Sequence, residues 1–409
     1  MHVVRFSTLD PLQPLAGQWD RLARGVPFRG WAWLANWWRH YGAREAAGAQ
    51  TSLFVVAVFD DEGVVAGIAP WYVRRSAAWG RVVRWLGSGE VCSEYLSVLC
   101  LPGLEETVSE NLADWLCGLH WSQIGRTRAA EADRWDLLEL TGVDAADAVV
   151  GHLAGALAAR GCTVHCRPGP PCWRLELPDT WDQYLTMLSK DHRKQVRRLE
   201  QRLLATGRAV LRTVRGEPEL ARAEKILFDL HQRRREQLGE PGCFASARLA
   251  AFHRDVLPEL LRAGQLGLHW IELDGAAVAA EYQLLGDAMV YAYQSGIDPD
   301  AREHSPGALA HVATLRDAIA RGCRGFDFLR GDEPYKAHWR ARPRETLELR
   351  VAPDRLVARL RHGLWRAGSG AKRWVKNRLR RANRQGANRR PKVAEQGARS
   401  TGRLKSLTD

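Results

Sequence analysis

Two stretches of this chain share one pattern, and that pattern limits what the chain can fold into. Residues 53–73, LFVVAVFDDEGVVAGIAPWYV, and residues 266–285, LGLHWIELDGAAVAAEYQLL, each read as an apolar run, an acidic-Gly turn and a second run rich in small residues. That is the signature of a β-hairpin. A Phe-led loop and a helix-like segment precede each one: FRGWAWLANWWRHY from Phe28 and FASARLAAFHRDVL from Phe244. The repetition predicts two related α/β halves. A chain of 409 residues has room for two domains of ~150–200 residues each. The break falls at 167–171, RPGPP, whose prolines and glycine interrupt both helix and strand. The expected organisation is a first half over 1–166, a second over 172–351, and a tail over 352–409.

Apolar spacing predicts further helices over 34–41, 108–119 and 145–160, with strands at 82–86 and 135–140. In the second half it predicts a long polar helix over 181–206, stopped by Gly207, and helices over 217–235 and 247–263. Strands at 289–295 and 325–329 flank a helix over 305–320, closed by Gly322.

The net charge of +13 belongs to the tail. Residues 351–409 hold seventeen Lys and Arg against three Asp and Glu, whereas the preceding 350 hold 43 against 44. The body is neutral, so the overall charge says nothing about its substrate. In the tail, Leu356, Val357, Leu360, Leu364, Trp365, Trp374, Val375 and Leu379 sit among basic residues. Beyond Arg384 the composition is that of a disordered segment. Such a tail fits an anionic membrane surface or RNA, or serves solubility alone. No run of ~18 apolar residues predicts a membrane span, and no targeting segment is evident. The expected location is cytoplasmic, or peripheral to the inner membrane face through the tail. The eight cysteines form no pair or Cys/His array with zinc spacing, so no metal is expected.

The densest polar constellation is 326–339, FDFLRGDEPYKAHW. A strand carrying Asp327 leads into a Gly-hinged loop with Asp332, Glu333, Tyr335, Lys336 and His338. Acyl transfer to an amine or hydroxyl needs a base and donors for the developing oxyanion. Glu333, Asp332 or His338 could serve as the base, and Lys336 or Tyr335 as donors; a charged surface loop is the plain alternative. Upstream lies 293–307, YQSGIDPDAREHSPG, between a strand and a helix. Ser305 suits an N-cap and Pro306 the first turn, and the amides there suit a pyrophosphate. The basic run 189–198, SKDHRKQVRR, offers Arg193 and Lys194 for an anion, or forms a solvated helix face. LGSGEVCSEYL at 86–96 lacks the Lys and Ser/Thr of a phosphate loop and reads as a turn. Nucleophile-elbow, zincin, Walker and dinucleotide fingerprints are absent.

The segments WAWLANWWRHYG, VAGIAP, RWLGSGEVCSEYL, LSKDHRKQVRR, YQSGIDPDAREHSPG and FDFLRGDEPYKAHW resemble, in that order, the CelD-like acetyltransferases of the GNAT superfamily. These in turn are similar to the Fem-type peptidyltransferases with tandem GNAT folds. The resemblance implies a mixed α/β architecture, with a curved sheet flanked by helices in each half and the donor bound in the second. It implies that Lys336 occupies the place of a lysine assisting transfer. It also implies acetyl-CoA or another acyl-CoA as co-substrate, an amine or glycan acceptor, and a setting in polysaccharide or envelope biosynthesis. Gln294, Ser295, Ser305, Pro306 and Gly307 would then bind donor, and Arg193, Lys194, Arg330 and Trp339 would bind substrate. The usual Q/R-x-x-G-x-G/A loop is replaced by the Ser305–Pro306–Gly307 helix start, which keeps aminoacyl-tRNA open as donor. A non-catalytic scaffold in a polysaccharide assembly system is the third reading. No obvious nucleophilic Cys or Ser is paired with a His, so direct attack in a ternary complex is expected.

Overall fold

Both look-alike segments close as antiparallel hairpins, Val55–Phe59 against Val65–Ala69 and Leu266–Leu273 against Ala276–Leu285. Each follows a short turn beginning near its phenylalanine and a helix, Trp31–Trp37 in the first half and Ala247–Arg262 in the second. The computed structural model describes residues 1–42, 50–118 and 133–364. The chain divides into a body, Met1–Ala358, and a second unit, Arg359–Asp409. In the second unit residues 359–364 are helical, with Leu360 and Leu364 exposed. The tail positions Trp365, Trp374, Val375 and Leu379, and the stretch beyond Arg384, lie outside the described residues.

The first half supplies β1 (His2–Phe6), β2 (Thr51–Leu53), β3 (Val55–Phe59), β4 (Val65–Ala69), β5 (Trp71–Ser76), β6 (Gly80–Trp85), β7 (Leu99–Cys100), β8 (Leu137–Asp144) and β9 (Thr163–Pro168). The second supplies β10 (Cys172–Glu176), β11 (Ala209–Thr213), β12 (Leu266–Leu273), β13 (Ala276–Leu285), β14 (Met289–Ile297), β15 (Gly325–Arg330), β16 (Arg342–Arg344) and β17 (Thr346–Ala352). They form sheets ordered β1-β3-β4-β7, β2-β5-β6-β8-β17-β9 and β11-β12-β13-β14-β15-β10-β16. Pro70, which cannot donate to a ladder, separates β4 from β5, and the chain changes sheet there.

The halves repeat strand by strand. A parallel pair joins β6 to β8 in the first half and β14 to β15 in the second, each spanned by a crossover helix, Glu105–Cys117 or Pro306–Ala320. Beyond the pair, β8 takes β17 and then β9, while β15 takes β10 and then β16. Since β16 runs into β17, the second half completes the six-stranded sheet of the first, while its own seven-stranded sheet is built from its strands alone. Trp33 meets Phe28 of its own half edge to face at 5.4 Å, and Phe252 and Tyr293 of the other half at 5.0 and 5.3 Å. Pairs of this kind add about 0.5–1.5 kcal/mol each beyond burial. The Trp33 indole also donates to Ser93 Oγ at 2.8 Å.

Two expected helices differ in outline. The polar segment 181–206 breaks after Trp181–Met187: Leu188 turns extended, and Ser189 caps a new helix, Lys190–Leu199, by accepting from the His192 amide. The segment then ends in a wider turn, Glu200–Leu204. The helix expected from Leu34 begins at Trp31 and widens over Trp38–Gly42.

Candidate active site at the parting of two strands

β14 and β15 pair only over Met289–Tyr291 and Gly325–Asp327. β14 continues to Ile297, still paired to β13, and β15 continues to Arg330. The strands therefore part at the level of Ala292–Ile297. The connecting helix runs back against both, so its start lies at the edge where β15 delivers its polar loop. His311, in the second turn of that helix, stacks on Tyr335 of the loop at 5.4 Å and 16°. The two sequence segments singled out for chemistry thus share one end of the sheet.

The loop folds around Lys336, which is only 2% exposed. Its ammonium donates to the carbonyls of Leu329 (3.2 Å), Arg330 (2.7 Å) and Gly331 (3.2 Å), and pairs with Glu333 at 2.9 Å. Leu329 holds a left-handed φ of 57° and Gly331 one of 117°, which turns successive carbonyls inward. Such a backbone at a leucine costs ~1–3 kcal/mol, and the lysine offsets it. Burial alone would raise the Glu333 carboxyl; the bond to Lys336 holds it below its ordinary value. Glu333 and Asp332 are exposed.

Asp327, fully buried, links the halves. It accepts from Tyr95 Oη (2.5 Å), Arg174 Nε (3.1 Å) and the Leu329 amide (2.8 Å). Burial pushes its carboxyl up, and these donors oppose the shift. Next to it Arg330 pairs with buried Glu94, whose carboxyl burial pushes up to about 7 against the pull of Arg330. The 86–96 segment, expected to be a plain turn, thus supplies Glu94 and Tyr95 to the site. Nothing local in the sequence signals this; their partners lie more than 230 residues away.

At the helix mouth Ser305 corrects the expectation of an N-cap. It sits at φ 51° with no side-chain cap bond. Asp298 instead caps the preceding turn, Pro299–His304, and Pro306 removes one donor from the mouth. An open cleft of about 570 Å³ surrounds the mouth, lined by Arg234, Ile297, Arg302, Ser305, Pro306, Gly307 and Ala308. Gln294 is half-buried on β14 and Ser295 exposed.

Arg193 is half-buried and Lys194 exposed on the basic helix. Its buried His192 makes the contact with the loop, stacking on His338 at 3.6 Å. Trp339 is buried against His192 and His311, at 4.7 and 5.5 Å, and its carbonyl accepts from Tyr184 at 3.0 Å. One thiol–imidazole pair escaped the sequence: Cys243 Sγ lies 3.3 Å from His231 Nε2. The Cys243 amide also donates to that nitrogen, and His231 Nδ1 bonds the Ser295 carbonyl at 2.8 Å, so the imidazole ties the turn to β14. Among the described residues no group of three or more His, Cys, Asp or Glu could hold a metal ion, and no helix is long and apolar enough to cross a membrane.

A parted parallel pair, a helix mouth at the gap and a repeated half give a mixed α/β fold of tandem GNAT-like architecture. Residues 190–337 match the family model described as an acetyltransferase (GNAT) domain. The chain's fold is similar to that of FemX, with a TM-score of 0.55 at 12% identity, covering 85% of this chain and 97% of that one. A tandem GNAT protein from the clavulanic acid biosynthesis pathway is 15% identical, with a TM-score of 0.41 over 86% of this chain and 98% of that one. No curated protein sequence matches the chain.

Proposed function

We propose that the second half, residues 172–351, moves an acyl group, acetyl in the simplest case, from acyl-CoA to an amine or sugar hydroxyl. The observation that carries this reading is the cleft at the helix mouth, with Arg234 and Arg302 beside Ser305–Gly307 where β14 ends at Ile297. Two guanidiniums and the positive end of a helix suit a pyrophosphate. The donor's arm, in this reading, runs along Gln294 and Ser295 toward the 331–339 loop. In this reading Lys336 and Trp339 hold the loop, while Asp327 and Arg330 fix it to the first half. Tyr335, Asp332, Glu333 and His338 face the reacting groups. Arg193 and Lys194 extend the basic rim toward an anionic acceptor. Attack is direct, in a ternary complex.

An aminoacyl-tRNA donor is the second reading, favoured by the basic tail, whose phosphate contacts would weaken steeply with salt. The tail serves equally for an anionic membrane surface, and that assignment, like a place in polysaccharide or envelope biosynthesis, belongs to the proposal. Calorimetry with acetyl-CoA and coenzyme A tests the leading reading, with Arg302→Ala and Arg234→Ala as probes. Binding in the micromolar range, lost in the double variant, is expected. No binding at millimolar donor would refute the reading, and salt-sensitive tRNA binding in its place would favour the second.

A further inference from the structure

The carboxylates of the 326–339 loop are committed or exposed. Asp327 uses both oxygens, Glu333 answers Lys336, and Glu94 beside them answers Arg330. A different carboxyl lies beneath the loop without such an obligation. Glu281 on β13 is 4% exposed, and among the described residues no hydrogen bond holds it. The ring nitrogen of His311 nearest to it, Nδ1, is 3.9 Å from Oε1 and is itself buried without a hydrogen-bond partner. Buried polar groups are paired in the great majority of cases, so two unpaired groups facing each other need a reason.

Their place supplies one. Glu281 stands opposite Ser295, in the stretch of β14 that has parted from β15. His311 lies one helical turn below Gly307 on the same face, and Tyr335 stacks on it. The groups facing Glu281 are His311 and Tyr335 from the two helices. On the neighbouring strands its register partners are His269, which bonds Thr213, and Ser295. No lysine or arginine forms an ion pair with it among the described residues.

We propose that Glu281 is the proton acceptor of the transfer, a role that rests on the acyl-CoA reading. The acceptor's nitrogen or oxygen forms a bond to the acyl carbon, and the C–S bond breaks with its electron pair left on sulfur. The proton lost by the attacking atom passes to the Glu281 carboxylate. Burial raises the Glu281 carboxyl to about 8, and Tyr335 feels the same carboxyl after its own burial. A base so tuned ionises near neutral pH, where a transferred proton moves with little loss.

The test uses the full chain with acetyl-CoA and a panel of amines and sugars. Glu281→Gln keeps the shape of the neutral side chain and is expected to lower kcat about 10²-fold or more. Donor Kd should stay within about twofold of the wild type, and the rise of kcat with pH seen in the wild type should disappear. Glu281→Asp, which keeps the carboxyl, should restore part of the rate and a pH inflection. An infrared difference spectrum between wild type and Glu281→Gln supplies a readout besides activity: a protonated-carboxyl band that fades near pH 8. Unchanged kcat and pH profile in Glu281→Gln, with donor binding intact, would overturn the inference and leave the proposed function standing. Absence of donor binding to the wild-type chain would overturn both.

Discussion

Replacing Lys336 by methionine isolates what one buried ammonium does. The stem still fills its space, but the carbonyls of Leu329, Arg330 and Gly331 lose their shared donor, and Glu333 loses its counter-charge. Charged hydrogen bonds contribute ~1.5–3 kcal/mol each. Glu333 is about half exposed and regains water, so little is assigned to that pair. Some carbonyls also recover solvent when the loop opens, which leaves a net loss of ~3–5 kcal/mol, the range for breaking a buried charged contact. For a body of this size the entropy of unfolding is about 0.75 kcal/mol/K, so Tm should fall by ~4–7 °C. Differential scanning calorimetry of the full chain measures this, and limited proteolysis should show new cutting within 331–335. A Tm within 1 °C of wild type, with the loop still resistant, would refute the view that the lysine organises the loop. So would ready acylation of Lys336 in the folded wild type by an amine-reactive reagent.

Asp327→Asn should cost ~3 kcal/mol in urea unfolding, because Arg174 keeps its charge and loses its partner. The Glu94 carboxyl is raised in the folded state from an ordinary value near 4.5 to about 7. Its contribution is therefore full below pH ~4.5 and lost as pH rises toward 7. Wild type should lose on the order of 3 kcal/mol across that window relative to Glu94→Gln; parallel stability curves for the two would contradict this. Arg302→Ala and Arg234→Ala should each weaken acetyl-CoA binding about tenfold, with a smaller salt dependence than wild type, read by calorimetry.

The hairpins were legible because an acidic-Gly turn between apolar runs admits few alternatives. The polar loop was legible because its residues adjoin in sequence. What its residues do was not. Lys336 reads as an oxyanion donor, or as part of a charged surface loop, until the left-handed backbone at Leu329 and Gly331 gathers three carbonyls around it. Tyr95 and Glu94 belong to the site through contacts across the halves, which no local pattern carries. Glu281 had a faint signal, one carboxylate within the small-residue run AAVAAEYQLL. The break at Leu188 had one too, since Ser189 followed by Lys-Asp-His is an acceptable helix start. Length and polarity alone suggested one continuous helix.

The insertion of β17 into the first half's sheet has a consequence for how such a chain comes off the ribosome. The first sheet has a gap between β8 and β9 until residues 346–352 have been made, some 200 residues after β8 itself. Nascent chains therefore carry two open ladders until that strand is made, in a protein whose early half cannot close by itself. For the same reason the first half cannot be lifted out as a module: a cut near 345 removes β17 and leaves β8 and β9 unjoined in the interior of their sheet.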